Sequence, residues 1–194
     1  NILETLDGNE VEVKINIFED EKIIIERINI VGNSITNDSV IRGEMIVDEG
    51  DPFSTLLVNK SINEIKARNI FGKVVYKQLP GSSDGLKILE ISIEEKSTGE
   101  IMAGAGVGTD GTTFAFSVNE NNWLGRGLAL KSSLNLSKET ILGSLSVNNP
   151  NYNFTDRAVR AGIDISETDR TSTSGFKSSK TVIDLGTGFE QYEN

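Results

Sequence analysis

Residues 128–138 read LALKSSLNLSK, and this stretch alternates between apolar and polar side chains. One face of an extended strand would carry four leucines: Leu128, Leu130, Leu134 and Leu136. The opposite face would carry lysine, serine and asparagine: Lys131, Ser133, Asn135 and Ser137. A period of two is typical of a β-strand with one face buried away from water. The stretch therefore predicts a strand with one apolar and one polar face.

The same alternation recurs throughout the second half of the chain, which also holds 11 of the 19 glycines. The six strand candidates are 101–108, 112–119, 128–138, 140–148, 157–167 and 180–190. Strands of about ten residues with one apolar face suit an antiparallel transmembrane barrel that has lipid outside and water inside. A soluble β-sandwich alternates in the same way, so the pattern leaves both architectures open.

Two further features favour the barrel. Small and charged residues share the polar face of the last two strands, as a barrel lumen allows: Gly162, Asp164, Asp184 and Gly186. The connections also differ in length, and the longest is the polar loop predicted for 168–179. Since the smallest membrane barrels need about eight strands, we expect the missing strands beyond Asn194 or in a partner.

The first half of the chain predicts an α+β unit with the order β-α-α-β-β. A strand over 23–31 precedes a short helix, which starts at Thr36 and Asp38 and contains Val40, Ile41 and Met45. Ser54 is predicted to cap a longer helix. Two strands over 74–79 and 86–93 follow as a hairpin around the turn segment 80–85.

The longer helix has two faces. Its apolar residues recur at helical spacing: Val58, Ile62 and Ile65. Its charged residues are predicted to face water: Lys60, Glu64, Lys66 and Arg68. The amphipathic pattern predicts a helix packed with one face against the sheet.

A further hairpin is predicted at the start of the chain, where strands over 2–6 and 11–17 flank Asp7-Gly8-Asn9. Its end, KINIFED at 14–20, matches EISIEEK at 90–96. We therefore expect the C-terminal hairpin of a preceding repeat over 1–20, a complete repeat over 21–98, and barrel strands over 99–194. The chain is expected to be a piece of a longer protein.

Composition excludes several classes of function. The 19 basic residues are outnumbered by 29 acidic ones, which disfavours a nucleic-acid partner. The absence of histidine and cysteine excludes His-based acid–base catalysis, cysteine nucleophiles, disulfides, and zinc sites with His or Cys ligands. GVGTDG at 106–111 fits the GxGxxG dinucleotide pattern, but an alternating strand follows instead of the required helix, which indicates a β-turn. We expect no catalytic residue, cofactor or metal site.

Several motifs occur in a fixed order: GN at 32–33, VIRGEM at 40–45, EEKSTGEI at 94–101, NNWLGRG at 121–127 and SVNNPNY at 146–152. In this order they resemble the BamA family of outer-membrane protein assembly factors. The resemblance implies the end of one POTRA domain, the complete last POTRA domain, and about six strands of an outer-membrane β-barrel. It also implies a location in the bacterial outer membrane, with the POTRA part in the periplasm. Gly43 stands where family members often carry an arginine.

The first barrel strand is the main candidate site. It comprises Ile101, Met102, Ala103, Gly104, Ala105, Gly106 and Val107. Its small side chains weaken packing and strand propensity, so the strand is either thinned to fit the barrel's curvature or able to unpair and template an incoming strand. The resemblance implies the second role, that of a lateral gate.

Three further candidate sites follow. A predicted edge strand of the POTRA domain could receive an unfolded peptide, although its terminal lysines could equally protect it: Lys73, Val74, Val75, Tyr76 and Lys77. The resemblance suggests partner docking at Arg42 and Glu44. Trp123, the only tryptophan, is predicted to anchor the chain at the membrane interface, with packing on the POTRA domain as the alternative.

The resemblance implies unfolded outer-membrane protein clients, accessory lipoproteins and the lipid bilayer as partners. Two alternatives stay open at this point: a POTRA-barrel pore that secretes a polypeptide, and a soluble β-rich adhesin-like domain.

Overall fold

The computed structural model describes the backbone of residues 2–7, 10–15, 22–108 and 111–189, and the side chains of the last two ranges. The chain begins with two antiparallel strands, β1 (Ile2–Asp7) and β2 (Glu10–Ile15), which confirms the first predicted hairpin. Its turn at Gly8 and Asn9, and most of the KINIFED stretch, lie outside the described residues.

An α+β unit follows. Its elements are β3 (Ile24–Val31), α1 (Asp38–Arg42), α2 (Thr55–Ala67), β4 (Phe71–Pro80) and β5 (Leu86–Glu95). The sheet order is β3-β5-β4, with β3 parallel and β4 antiparallel to β5. The predicted order of strands and helices is confirmed, and β3 and β4 are the sheet's two edge strands.

The core of this unit lies between α2 and the sheet. Val58, Ile62 and Ile65 of α2 are buried, as their spacing predicted, and pack in one cluster with Ile28 and Ile91 of the sheet. Burial of each such side chain contributes about 1.5–3 kcal/mol. Ser54 caps α2 by accepting a hydrogen bond from the backbone N–H of Leu57.

The short helix α1 differs from the prediction in two ways. It ends at Arg42 with Gly43 as its C-cap, so the predicted extension to Met45 was wrong. Asn37, rather than Thr36, occupies the N-cap position, without a side-chain hydrogen bond to the helix. Thr36 is only 2% exposed, and its hydroxyl accepts a hydrogen bond from Asn122 instead of capping the helix.

The remaining strands form one antiparallel sheet. They are β6 (Gly99–Gly108), β7 (Gly111–Trp123), β8 (Leu128–Leu136), β9 (Thr140–Asn149), β10 (Arg157–Arg170) and β11 (Phe176–Phe189). Each strand pairs with its neighbours in sequence, in the order β11-β10-β9-β8-β7-β6. Within the described residues, β6 pairs only with β7 and β11 only with β10, so the sheet is open at both edges.

One face of this sheet is apolar and the other polar. The strand register aligns Ala103, Phe116 and Leu134 in one row across three strands. Phe116 is 48% exposed and Leu134 is 40% exposed. The opposite face carries the predicted polar set, with Gly162 directly opposite Asp184 and an Arg160–Asp184 ion pair at 3.3 Å. Large exposed apolar side chains on one face are what a lipid-facing barrel wall requires.

The prediction of a long loop over 168–179 was wrong. β10 and β11 continue pairing as far as Arg170 and Phe176, which leaves only residues 171–175 as the connection. Within the extended hairpin, Lys177 forms an ion pair with Glu167 at 2.7 Å. No helix in the described ranges has the length and apolar character needed to cross a bilayer.

Candidate functional site at the junction of the two sheets

The turn between β7 and β8, residues 124–127, lies against the loop that precedes α1. The backbone N–H of Asn37 donates to the carbonyl oxygen of Gly125 at 2.8 Å. Gly125 has φ of +68°, and a Cβ there would overlap the carbonyl oxygen of Ile35. The close approach therefore requires glycine at this position. We call this contact region, formed by 33–37, 43–44 and 68 with 120–127 and 149–154, the junction.

Asn122 is the buried polar side chain of the junction. It is 7% exposed and donates through Nδ2 to Thr36 Oγ1 at 2.8 Å. Its Oδ1 accepts the backbone N–H of Gly127 at 2.8 Å, which closes the turn. Because both polar ends of the amide are satisfied, Asn122 can be buried without an unpaired group. Sequence reasoning missed this residue, although the asparagine-rich turn was its signal.

Glu120 ties the connection between the sheets to the same turn. One of its carboxylate oxygens accepts a hydrogen bond from Thr98 Oγ1 and another from the backbone N–H of Asn122. Thr98 lies between β5 and β6, so this contact holds the short connection against the end of β7.

Glu95 organises the loop on the other side of the junction. Its carboxylate accepts hydrogen bonds from Ser34 Oγ at 2.8 Å, Ile35 N–H at 2.9 Å and Thr36 N–H at 2.7 Å. Burial alone would raise the pKa of Glu95, but these hydrogen bonds outweigh burial and lower the pKa from 4.5 to about 2. The ionised carboxylate therefore fixes the loop that receives Gly125 and Asn122.

The low pKa of Glu95 predicts a pH dependence. Because the pKa is depressed in the folded state, the stabilisation is complete above pH 4.5 and is lost as pH falls towards 2. Glu95→Gln removes the charge and one acceptor oxygen, so we expect a loss of about 1–2 kcal/mol at pH 7. Urea unfolding at pH 7 and pH 3, monitored through hydrogen exchange at the Ile35 and Thr36 amides, measures the effect.

The matched control is Glu94→Gln, which removes the same charge from an exposed neighbour. We expect the gap between wild type and Glu95→Gln to shrink as pH falls from 4.5 to 2, whereas Glu94→Gln should not produce this trend. An equal loss in both variants, unchanged by pH, would contradict the assigned role of Glu95.

Glu44 and Arg68 form a second, charged part of the junction. Their side chains are 15% and 11% exposed, and Arg68 Nη1 lies 3.4 Å from Glu44 Oε1. Arg68 also donates to the carbonyl oxygen of Gly127 at 2.7 Å, so it connects α2 with the β7–β8 turn. Asn151, in the β9–β10 connection, donates to Glu44 Oε1 at 3.2 Å and to the carbonyl oxygen of Gly43 at 3.1 Å.

Burial dominates the titration of this pair. It raises the pKa of Glu44, which Arg68 and Asn151 only partly offset, and it lowers the pKa of Arg68, which Glu44 partly offsets. The prediction that Arg68 faces water was wrong, because its guanidinium spans the junction. An exposed arginine at a helix end gives the same pattern in sequence, so only tertiary contact distinguishes the two.

The structure gives both predicted docking residues intramolecular partners. Arg42 lies 2.6 Å from Asp38 and 3.5 Å from Glu49, and it donates to the carbonyl oxygen of Ile28. Glu44 turns towards the barrel strands, as described above. Gly43 makes room for Phe154, whose ring occupies the position that a Cβ at residue 43 would take.

Trp123 is the last residue of β7 and is 40% exposed. It pairs with Leu128, at the end of the sheet that meets the α+β unit. The side chain buried at the contact with that unit is Asn122, one residue earlier. Trp123 lies at the end of the sheet where the interface anchor is predicted, and that role stays a prediction.

The two candidate strands are both edge strands. The predicted gate residues 101–107 lie in β6, and a Cβ at Gly104 or Gly106 would meet no atom within 4 Å. Residues 73–77 lie in β4, where Lys73 is exposed and Lys77 lies 2.9 Å from Glu90. These two edge strands lie in different sheets, so they do not form one site.

Residues 23–96 match the family model of POTRA, described as "Surface antigen variable number repeat". The chain is 31% identical over 157 residues to the outer membrane protein assembly factor BamA of Neisseria meningitidis serogroup B, which covers 80% of this chain and 19% of that protein. The chain belongs to the BamA family. It is also 33% identical over 133 residues to a putative outer membrane protein assembly factor of Treponema pallidum, covering 65% of this chain and 16% of that protein.

Solved structures agree on the fold. BamA from Haemophilus ducreyi lacking POTRA domains 1–3 matches with a TM-score of 0.72 and 21% identity, over 93% of this chain and 35% of that chain. CdiB from Escherichia coli matches with a TM-score of 0.58 and 13% identity, over 100% of this chain and 38% of that chain. The α+β unit is a POTRA domain on the periplasmic side, and the antiparallel sheet is part of the outer-membrane β-barrel.

The chain spans less than a quarter of the BamA relatives it matches, for example 19% of the Neisseria protein. Within residues 22–108 and 111–189, no three Asp or Glu side chains come together in a group that could hold a metal ion.

Proposed function

We propose that the chain is part of a non-enzymatic factor that folds and inserts β-barrel proteins into the bacterial outer membrane. The relatives at 31–33% identity whose names describe them as outer membrane protein assembly factors support this proposal. Unfolded outer-membrane proteins are the proposed clients, with accessory lipoproteins and the bilayer as the other partners.

The glycine-rich strand β6 is the observation that carries the proposal. Within the described residues it pairs with β7 alone. Whenever its other edge opens in the whole protein, that edge presents a row of backbone N–H and C=O groups that an extended segment of another chain can pair with. Glycines at 104, 106 and 108 leave few side-chain contacts to hold β6 against a competing strand.

The energy for insertion would come from the client. A strand entering the bilayer must satisfy every backbone group, and pairing with β6 satisfies one side of it at once. Burial of the client's apolar face in lipid then contributes about 25 cal/mol per Å². A template with a weakly held edge needs no bound nucleotide to perform this work.

The POTRA domain would supply binding sites on the periplasmic side. Its edge strand β4 carries exposed backbone at the sheet margin, but Lys73 and Lys77 flank it with positive charge. We therefore propose that clients contact Val74 to Tyr76, and that acidic or weakly charged client segments bind there best. Docking of an accessory lipoprotein at Arg42 and Glu44 would have to exchange their present intramolecular partners.

Strand templating is tested by cysteine capture in the full-length protein during client assembly. Ala103→Cys and Ala105→Cys lie two residues apart on the outer face of β6. If a client strand pairs with β6, the client position that cross-links should move by two residues between the two variants, because paired strands keep one register. Mass spectrometry of the cross-linked product identifies the positions.

Phe116→Cys is the matched control. It lies directly opposite Ala103 on the same face, but β7 is already paired on both sides. We expect capture to be at least several-fold weaker there. Equal capture at Phe116 and Ala103, or capture without a two-residue shift, would overturn the templating role.

A second candidate function is a pore that secretes a polypeptide. The match to CdiB extends over 100% of this chain and concerns the fold alone, and the polar face of the barrel sheet would suit a passage. The complete protein discriminates between the two: about five POTRA repeats favour the assembly factor, and two favour the secretion pore. The soluble adhesin-like alternative has no support, because the strands belong to an outer-membrane barrel.

A further inference from the structure

A cavity of about 430 Å³ lies where the POTRA domain meets the apolar face of the barrel strands. Its apolar wall comes from three neighbouring strands: Leu128, Val147, Val159 and Ala161. These residues belong to the row that faces lipid further along the strands, since Ala161 pairs with Val147 and Val147 pairs with Leu130. The cavity therefore opens at the periplasmic margin of the membrane-facing surface.

The charged side of the cavity is positive. Its lining includes one carboxylate, Glu44, and two guanidinium groups, Arg68 and Arg126. Glu44 and Arg68 neutralise each other, whereas Arg126 is exposed and takes part in none of the ion pairs found in the described part of the chain. One unmatched positive charge thus remains in a chain whose net charge is −10.

Two aromatic side chains line the cavity, and a third belongs to a residue paired with its apolar wall. Tyr152 and Phe154 line it, and they are 55% and 56% exposed. Trp123 pairs with Leu128 of the apolar wall. Aromatic rings concentrate where a protein crosses from hydrocarbon to headgroups, so their presence sets this cavity at headgroup depth.

We propose that this cavity binds a phospholipid of the surrounding periplasmic leaflet. The phosphate lies against Arg126, and an acyl chain follows the wall formed by Leu128, Val147 and Val159. An apolar wall that continues into the membrane-facing surface fits a lipid better than a free anion, which would gain nothing from it. This proposal depends on the position of the barrel in the membrane, and it does not depend on strand templating.

The test is a titration of the full-length detergent-solubilised protein with dioleoylphosphatidylglycerol, with bound lipid counted by native mass spectrometry. Arg126→Gln should weaken the tightest lipid-binding event about fivefold, the effect expected from one cation near a membrane surface. Arg157→Gln is the charge-matched control, because Arg157 is exposed at the same end of the sheet but does not line the cavity. It should leave that event within twofold of wild type.

Ala161→Phe tests the apolar wall without changing charge. It narrows the cavity from the lipid-facing side, and we expect a loss of lipid retention similar to that of Arg126→Gln. Equal weakening by the Arg126 and Arg157 variants would show diffuse electrostatic attraction and overturn the site. Displacement of the lipid by inorganic phosphate alone, or no effect of Ala161→Phe, would also overturn it. Because lipid binding is read without clients, its failure would leave the proposed assembly role standing.

Discussion

Gly125→Ala should detach the POTRA domain from the barrel strands while leaving both folded. Gly125 has φ of +68°, which costs an L-residue about 1–2 kcal/mol, and its added Cβ would overlap the backbone carbonyl oxygen of Ile35. A backbone atom cannot rotate away as a side chain can, so the turn or the loop must move. That movement breaks the hydrogen bond between Asn37 and Gly125 and separates Asn122 from Thr36.

Spin labels at Lys60 on α2 and Lys138 at the far end of the sheet measure the detachment. In the full-length protein without other cysteines, we expect one narrow distance distribution for wild type and a broad one for Gly125→Ala. Gly175→Ala is the matched control, because its φ is +69° but a Cβ there would meet nothing within 4 Å. A narrow, unshifted distribution in Gly125→Ala would show that the junction does not hold the two domains together.

Gly32→Ala should destabilise the POTRA domain by about 3 kcal/mol or more. Gly32 follows β3 with φ of +91°, and a Cβ there would overlap the carbonyl oxygen of Ile93 in β5. The two parallel strands would have to separate where Ile91 and Ile93 are buried. The expected result is that the domain unfolds at a lower urea concentration. Hydrogen exchange at the Ile91 amide monitors this transition.

Gly50→Ala separates backbone strain from overlap. Gly50 has nearly the same φ, +94°, but a Cβ there would meet nothing within 4 Å. We expect this variant to lose only the 1–2 kcal/mol associated with a left-handed L-residue. If Gly32→Ala and Gly50→Ala destabilise the domain equally, the packing of Gly32 against β5 contributes nothing.

The roles of glycine at 32 and 125 illustrate what sequence reasoning can and cannot supply. The motifs GN and NNWLGRG mark both positions as turns, and local chemistry is sufficient for that inference. The reason for glycine is a backbone atom of a residue far away, Ile93 in one case and Ile35 in the other. Residues so distant in sequence leave no local pattern.

The strands and helices follow from periodicity. The apolar row of β8 and the buried face of α2 recur at spacings of two and of three to four residues, which the backbone geometry converts directly into faces. The order β-α-α-β-β and the antiparallel succession of barrel strands were predictable for the same reason. The predicted helix end at Met45 was misplaced because α1 already ends at Arg42, with Gly43 as its C-cap. The predicted loop over 168–179 was misplaced because its polar residues fit a loop or a strand equally well.

The junction was decided by tertiary structure. Asn122, Arg68 and Glu44 are polar residues, and the sequence alone gives no reason to bury them. Their partners lie on other elements: Thr36, Gly127 and Asn151. A buried polar group is tolerated only when its partners are in place, and that placement depends on two domains meeting. Sequence alone therefore established which faces are apolar and in what order the elements run, whereas three-dimensional contact established where the domains lock together.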